Sequence, residues 1–170
     1  VTPASVTAED VASLFYTRCV LSEALRLYPQ PPILIRRALN SDRVPFSKKS
    51  DSKGQIYYEE EWAHVRKGSD IFILPWVLHR SERIWGERSQ EFEPERWMRS
   101  VKENGSWNGY NHELFVNQST SNTAMYPNET MTDYGFLAFG GGSRKCIGDQ
   151  FAMMQSTVVL SQLLHRFDIK

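Results

Sequence analysis

Cys146 lies in a glycine-rich stretch, residues 139–148, that reads FGGGSRKCIG. Three consecutive glycines let the backbone adopt left-handed conformations and approach a flat object closely. An apolar-periodic segment begins after Gly148, so the thiol is predicted to lie at the amino end of a helix, where negative charge is favoured. The thiolate is the form of cysteine that binds metal. This arrangement suits a cysteine thiolate that serves as the axial ligand of a haem iron.

Two other interpretations of the same stretch are open from the residues alone. A glycine loop can contain a cysteine that is only a small structural residue. The glycines at 140–142 could also belong to a phosphate-binding module. A P-loop, however, requires G-x-x-x-x-G-K-[ST], and here Lys145 is followed by Cys146.

The bulk composition is typical of a folded globular protein, because the 170 residues carry no net formal charge and 41% of them are hydrophobic. It does not favour a nucleic-acid partner. Cys19 and Cys146 form no C-x-x-C pair, which disfavours a zinc site or a disulfide framework, and Cys19 is predicted to be a core residue. The sequence shows no signal peptide and no run of ~20 apolar residues. It also lacks an initiator Met, so we expect an internal piece of a longer protein.

Capping and periodicity predict the elements that must position this loop. Thr7 followed by Asp10 predicts a capping box, and the apolar periodicity after it predicts one helix to about Tyr28. That helix is ended by three prolines: Pro29, Pro31 and Pro32. Farther along we predict strands over 33–35 and 71–74, a short helix over 76–80, a surface loop over 40–56 and a helix from Gly148 to about His165. No clear period is found over 98–133, which is predicted to be a meander, an insertion or partly disordered.

Two further stretches could form charge-assisted hydrogen bonds. Glu23 and Arg26 are three residues apart on the first predicted helix, so they share one face. Residues 92–97 read FEPERW and contain Arg96. An isolated pair of this kind is usually solvated and weak, but an arginine fork offers the bidentate hydrogen bonds that a buried carboxylate needs.

In this order, the stretches EALR, FEPERW and FGGGSRKCIG resemble the E-x-x-R, F-x-P-E-R-[FW] and F-x-x-G-x-R-x-C-x-G motifs of the cytochrome P450 superfamily. The resemblance covers nearly all of the chain. It implies a mainly α fold with small β-sheets (α+β). Residues 1–170 would form the C-terminal part of that fold, as a single partial domain.

The resemblance also implies roles for individual residues. Cys146 would be the axial ligand of haem b, and Glu23, Arg26 and Arg96 would form a buried structural triad beneath the haem loop. Further haem contacts are implied at Arg36, with the adjacent Arg37 as an alternative, and at Phe139, Gly140, Gly142, Arg144, Ile147 and Gly148. A substrate-facing strand is implied at Pro32, Ile33, Leu34 and Ile35. The histidines lack metal-ligand spacing and are predicted to be structural or on the surface: His64, His79, His112 and His165.

A protein of this family would be a haem-thiolate monooxygenase that hydroxylates an apolar substrate with O₂ and electrons from a ferredoxin or a flavoprotein reductase. That electron donor is expected to dock near Arg144 and Lys145. Residues 23–37 and 140–152 are most similar to plant and algal carotenoid-ring hydroxylases. This similarity implies a carotenoid β-ring as the substrate, and a plastid or membrane-associated location for the full-length protein.

Two alternatives remain open: a monooxygenase acting on another lipid-like substrate, and a truncated haem-binding piece without turnover. The family activates oxygen with an acid/alcohol pair on a central helix that precedes this segment, and no matching sequence is found here. We therefore expect the 170-residue piece alone to be inactive as a monooxygenase.

Overall fold

The computed structural model describes residues 7–48, 59–98, 125–127, 132 and 134–168. Its α-helices are α1 (Ala8–Ser13), α2 (Phe15–Leu27), α3 (Pro75–Leu78), α4 (Glu82–Trp85) and α5 (Asp149–Arg166), and short 3-10 helices span Pro94–Met98 and Gly142–Arg144. Its strands are β1 (Leu34–Arg37), β2 (Asp42–Lys48), β3 (Glu59–Val65) and β4 (Asp70–Ile73). Helices with small antiparallel sheets agree with the predicted α+β class. His112 and most of the stretch 98–133 lie outside the described residues.

Among the helices of these ranges, none combines the length and the apolar character needed to cross a membrane.

The amino end of α1 carries the predicted capping box. The backbone N–H of Asp10 donates to Thr7 Oγ1 (3.2 Å), and the N–H of Thr7 donates to an Asp10 carboxylate oxygen (2.8 Å). These bonds satisfy amide groups that the first turn of a helix leaves without an intrahelical partner.

The single helix predicted over 7–28 is wrong at Leu14, where α1 ends and α2 begins. The hydroxyl of Ser13 donates to the Asp10 carbonyl (2.7 Å), which the N–H of Leu14 would use in a continuous helix. The N–H of Leu14 bonds the Val11 carbonyl instead (3.3 Å). The hydrogen bond from the Ser13 hydroxyl therefore interrupts the helical pattern, and the segment forms two helices.

The first sheet consists of β1 and β4, which pair antiparallel with Leu34 opposite Ile73 and Arg37 opposite Asp70. Both strands lie within about one or two residues of the predicted positions. The Arg37 guanidinium binds the Asp70 carboxylate through two hydrogen bonds of 2.8 and 2.9 Å, which ties the two strands together at one end.

The second sheet, β2 with β3, corrects the prediction of a surface loop over 40–56. Residues 42–48 form a strand, with Asp42 opposite Val65 and Pro45 opposite Trp62, while residues 49–56 lie outside the described residues. The side chains of 42–45 are all exposed, as are those of 62–64 on β3. Because residues 42–45 and 62–64 expose successive side chains, which point to opposite faces of a strand, these parts of the strands need no apolar alternation, and the sequence pattern gave no signal.

Contacts divide the chain into two compact units. The first comprises the described residues up to Pro32 and from Leu74 onward, and the second comprises Ile33–Ile73, which contains the four strands. The elements that carry the three motifs all belong to the first unit: α2, the 3-10 helix Pro94–Met98 and the loop before α5.

The core of the first unit is a cluster of aromatic rings around Phe136. Its ring centre lies 5.0 Å from Trp97, 6.4 Å from Tyr126 and 6.5 Å from Trp85. Cys19 is buried in the same cluster, as predicted, and burial raises the pKa of its thiol to about 12. Since Phe136 is three residues before Phe139, the core packs directly under the start of the cysteine loop.

Candidate functional site

The cysteine loop is closed by backbone hydrogen bonds across its base. The N–H of Cys146 donates to the Phe139 carbonyl (2.9 Å), and the N–H of Gly140 donates to the Leu137 carbonyl (3.0 Å). Gly140 and Gly142 have φ of 74° and 67°, in the left-handed region that residues with a Cβ rarely adopt. The glycines are therefore required by the turns that return the chain to Phe139.

The thiol of Cys146 is exposed and lies at the amino end of α5, as predicted. Gly148 is the N-cap residue of this helix, and a Cβ built on Gly148 would be 4.0 Å from Cys146 Sγ. The first amides of a helix lack intrahelical acceptors and carry partial positive charge. The sulfur therefore lies beside the positive end of the α5 dipole.

Two apolar side chains that follow Cys146 in the sequence are exposed. Ile147 is fully exposed (103%), and Phe151, in the first turn of α5, is 61% exposed. Phe139, by contrast, is half-buried and packs on Tyr126, with 5.0 Å between ring centres. Arg144 is exposed at the end of the short 3-10 helix. An exposed soft donor, a cation and uncovered apolar surface suit a flat, largely apolar cofactor with an acidic edge.

Glu23, Arg26 and Arg96 meet in one buried network. Arg26 donates from Nε and Nη2 to the two Glu23 oxygens, each at 2.9 Å, and Arg96 Nε donates to Glu23 Oε1, also at 2.9 Å. The same carboxylate accepts the backbone N–H of Glu93 (2.9 Å) and the indole N–H of Trp97 (3.0 Å). Glu23 and Arg26 have no exposed surface, so this carboxylate is stabilised by donors rather than by water.

The remaining N–H groups of the two guanidinium groups bind backbone carbonyls. Those of Arg26 donate to the carbonyls of His79 (2.6 Å), Ser89 (2.6 Å) and Glu91 (3.1 Å). Those of Arg96 donate to the carbonyls of Trp85 (3.4 Å), Arg88 (2.8 Å) and Glu91 (3.3 Å). The network thereby fixes the path of the chain over residues 79–91.

The charge state of Glu23 follows from these contacts. Burial on its own raises the pKa of this carboxyl, but the hydrogen bonds from Arg26 and the Glu93 N–H, together with the charges of Arg26 and Arg96, outweigh it. The pKa of Glu23 therefore lies below its ordinary value, and the group stays ionised.

His79 joins this network to the cysteine loop, a role that the sequence did not reveal. Its ring is fully buried, and Nδ1 lies 3.1 Å from the Arg26 carbonyl. Nε2 accepts the backbone N–H of Leu137 at 2.7 Å. Since a carbonyl can only accept, Nδ1 carries the proton. Because Nε2 accepts a hydrogen bond, it has no proton, and the ring is neutral. Of the other predicted histidines, His64 lies on β3 and His165 in the last turn of α5.

The remaining predicted site residues lie at the edge of the second unit or within it. The Arg36 guanidinium donates to the Ile35 carbonyl (2.9 Å), whereas Arg37 is held by Asp70. The segment proposed to face substrate is largely exposed, with Leu34 half-buried and the others exposed: Pro32, Ile33 and Ile35.

Residues 2–170 match the profile of the protein family described as Cytochrome P450. The chain is 45% identical over 166 residues to "Cytochrome P450 97B2, chloroplastic" of Glycine max, and the alignment covers 96% of this chain and 26% of that protein. It is 37% identical over 164 residues to "Protein LUTEIN DEFICIENT 5, chloroplastic" of Arabidopsis thaliana, and the alignment covers 96% of this chain and 21% of that protein. It is 37% identical over 163 residues to "Carotene epsilon-monooxygenase, chloroplastic" of Arabidopsis thaliana, and the alignment covers 95% of this chain and 23% of that protein. The chain thus spans about a quarter of the length of these curated relatives.

Substituting Glu23→Gln should lower the free energy of unfolding by roughly 3–5 kcal/mol, because it leaves two buried guanidinium groups without their counter-charge. Glu91→Gln is the matched control. Glu91 also pairs with an arginine three residues away (Arg88, 2.7 Å), but both side chains are more than half exposed, at 58% and 57%. Glu91→Gln should lower the free energy of unfolding by less than ~1 kcal/mol. Denaturant unfolding of the full-length protein measures both, and equal losses would contradict the buried role of Glu23.

The stability of the protein should fall as the pH is lowered from about 7 to about 5, in part because of His79. Burial, followed by the charges of Arg26 and Arg80, lowers the pKa of His79 to about 4, although the hydrogen bond to the Arg26 carbonyl opposes this shift. An unfolded histidine titrates near pH ~6.5, so between these two values the unfolded chain binds more protons than the folded one. Protonation would also place a hydrogen on Nε2, where the Leu137 N–H is bound.

Comparison of unfolding free energies at the two pH values tests this expectation. Between about pH 7 and about pH 5, the unfolding free energy of wild type should fall by about 2 kcal/mol more than that of His79→Gln, since the variant has no group to titrate at this position. His165→Gln, at the exposed end of α5, serves as the control and should keep the wild-type dependence. An unchanged pH dependence in His79→Gln would show that His79 is not buried in its neutral form.

Proposed function

The chain belongs to the cytochrome P450 family, and on that premise we propose that it is part of a haem-thiolate monooxygenase in which Cys146 ligates the iron. The observation that carries the proposal is the exposed thiol, held by a closed glycine loop beside the amino end of α5. The amino end of a helix carries partial positive charge, which suits an anionic metal ligand.

The residues around the thiol fit a haem group. Cys146 supplies one soft anionic donor, and Ile147 and Phe151 supply uncovered apolar surface of the kind that a porphyrin would cover. Arg144, an exposed cation two residues before the thiol, suits a propionate. When bound through a thiolate, haem supplies oxygen activation and hydroxylation of a C–H bond.

The protein's own groups would hold and tune this ligand. The amides at Ile147 and Gly148 are available to donate to the sulfur, and Phe139 would shield it on the side of the core. Gly140 and Gly142 would let the loop approach the cofactor closely. Arg36 is proposed as a second propionate ligand. Its guanidinium is exposed and bonded to the neighbouring carbonyl, whereas the alternative, Arg37, is engaged by Asp70.

The triad of Glu23, Arg26 and Arg96 is assigned a structural role in this proposal. Its charges are buried and mutually satisfied, and its hydrogen bonds end on backbone carbonyls of residues 79–91. Groups that are so fully engaged hold a fold, since their donors are taken up by acceptors within the protein.

We propose an apolar ring compound of the carotenoid class, with a β-ring, as the substrate. The support is the apolar segment Pro32–Ile35, three of whose residues are exposed, and the name of one relative, a carotene epsilon-monooxygenase. The relatives are named chloroplastic, which supports a plastid location. Members of the family need an electron donor, for which we propose a ferredoxin or a flavoprotein reductase.

Carbon monoxide binding to the reduced full-length protein tests the ligand. Wild type should give the red-shifted difference band of thiolate-ligated haem, and Cys146→Ala should lose that band. Cys19→Ala is the matched control, because Cys19 is the other free thiol and is buried in the core, so it should keep the band. Persistence of the band in Cys146→Ala, or its absence from wild type, would overturn the assignment.

Substrate class requires a product assay with the full-length protein, a ferredoxin-reducing system and O₂. A carotenoid with unsubstituted β-rings should gain a ring hydroxyl, and Cys146→Ala should form no product. A long-chain fatty acid, assayed in parallel, represents the other lipid-like substrates. Oxidation of the fatty acid without oxidation of the carotenoid would overturn the carotenoid proposal and leave the monooxygenase proposal standing.

A further inference from the structure

Tyr126, Lys145 and Asp149 meet at the start of α5, in a cluster that the proposed function leaves unused. The Tyr126 hydroxyl donates to Asp149 Oδ2 at 2.6 Å, and Lys145 Nζ lies 2.9 Å from the same oxygen. Lys145 Nζ also lies 5.3 Å from the centre of the Tyr126 ring. The other carboxylate oxygen, Oδ1, accepts the N–H of Gln150 at 2.7 Å. Tyr126 and Asp149 are buried, so these contacts are largely shielded from water.

The cluster contains one anion and one cation. Burial works against ionisation of Asp149, but the hydrogen bonds from Tyr126, Lys145 and the Gln150 N–H outweigh it, and the pKa of Asp149 lies below its ordinary value. Burial and the hydrogen bond to Asp149 raise the pKa of Tyr126, so the phenol keeps its proton and remains a donor. Lys145 supplies the balancing positive charge.

The position of the cluster relative to the thiol gives it an electrostatic consequence. Lys145 directly precedes Cys146, and Asp149 is the first residue of α5, the helix whose N-cap residue lies beside the sulfur. A carboxylate in the first turn cancels part of the positive potential at the amino end of a helix, and it would repel a nearby thiolate. A carboxylate that is paired with an ammonium group and a phenol has a much weaker effect.

We propose that Tyr126 and Lys145 are positioning residues that neutralise Asp149 and thereby set the electrostatic potential at the Cys146 sulfur. This inference rests on the proposed function, because it concerns the sulfur as an iron ligand. It also gives Lys145 an internal role in place of the expected contact with an electron donor. Arg144, which is exposed, remains the loop cation that faces outward.

The test is the midpoint potential of the haem iron in the full-length holoprotein, with the reduced carbon-monoxide spectrum recorded alongside. Lys145→Met should shift the potential to more negative values, because an uncompensated Asp149 stabilises the oxidised and more positive iron. Asp149→Asn should shift it to more positive values. The double variant should have a midpoint potential near that of wild type. Lys145→Arg, which keeps the charge, is the matched control, and its midpoint potential should also be near that of wild type.

Tyr126→Phe removes one hydrogen bond from Asp149 and keeps the ring, so it should cause a smaller negative shift than Lys145→Met. Opposite shifts that cancel in the double variant support the inference, because loosening of the loop would not give a dependence on the sign of the charge. Shifts of one sign, no shift, or loss of the thiolate band in both single variants would overturn the inference alone. A wild-type protein without the thiolate band would overturn the proposed function and this inference together.

Discussion

The fold around the site depends on one buried carboxylate, that of Glu23. An ionised carboxyl group without exposure to water is costly unless donors replace its hydration. Here the donors come from its own helix through Arg26, and from a distant segment through the Glu93 amide, Arg96 and the Trp97 indole. Because every donor must be in place for the charge to be tolerated, α2 and the 3-10 helix Pro94–Met98 are held in one arrangement.

This constraint reaches the cysteine loop through consecutive hydrogen bonds. Arg26 donates to the His79 carbonyl, His79 donates back to the Arg26 carbonyl, and the other ring nitrogen of His79 receives the Leu137 N–H. The Leu137 carbonyl then receives the N–H of Gly140, inside the loop that Cys146 closes. A neutral histidine suits this position because it can donate with one nitrogen and accept with the other, which a protonated ring cannot do.

The sequence predicted those parts of the molecule whose causes are local. The Thr7 capping box, the strands near 33–35 and 71–74, and the helix after Gly148 follow from neighbouring residues, and the structure has them. The break at Leu14 and the strand at 42–48 were missed. The first depends on one serine hydroxyl, and the second has exposed side chains at all of its first four positions, 42–45, so neither leaves an apolar period. The role of His79 was hidden because its partners lie 53 and 58 positions away along the chain.

The site therefore combines two kinds of residue with opposite exposure. Glu23, Arg26 and His79 are buried and have their hydrogen-bonding groups engaged, whereas the Cys146 thiol and the Ile147 side chain face outward. Because the hydrogen-bonding groups of Glu23, Arg26 and His79 are engaged within the protein, these side chains hold the loop in place and do not gain by turning toward the sulfur. Asp149, the first residue of α5, is likewise paired within the protein, by Lys145 and Tyr126, and an unpaired carboxylate there would add negative potential near the thiol.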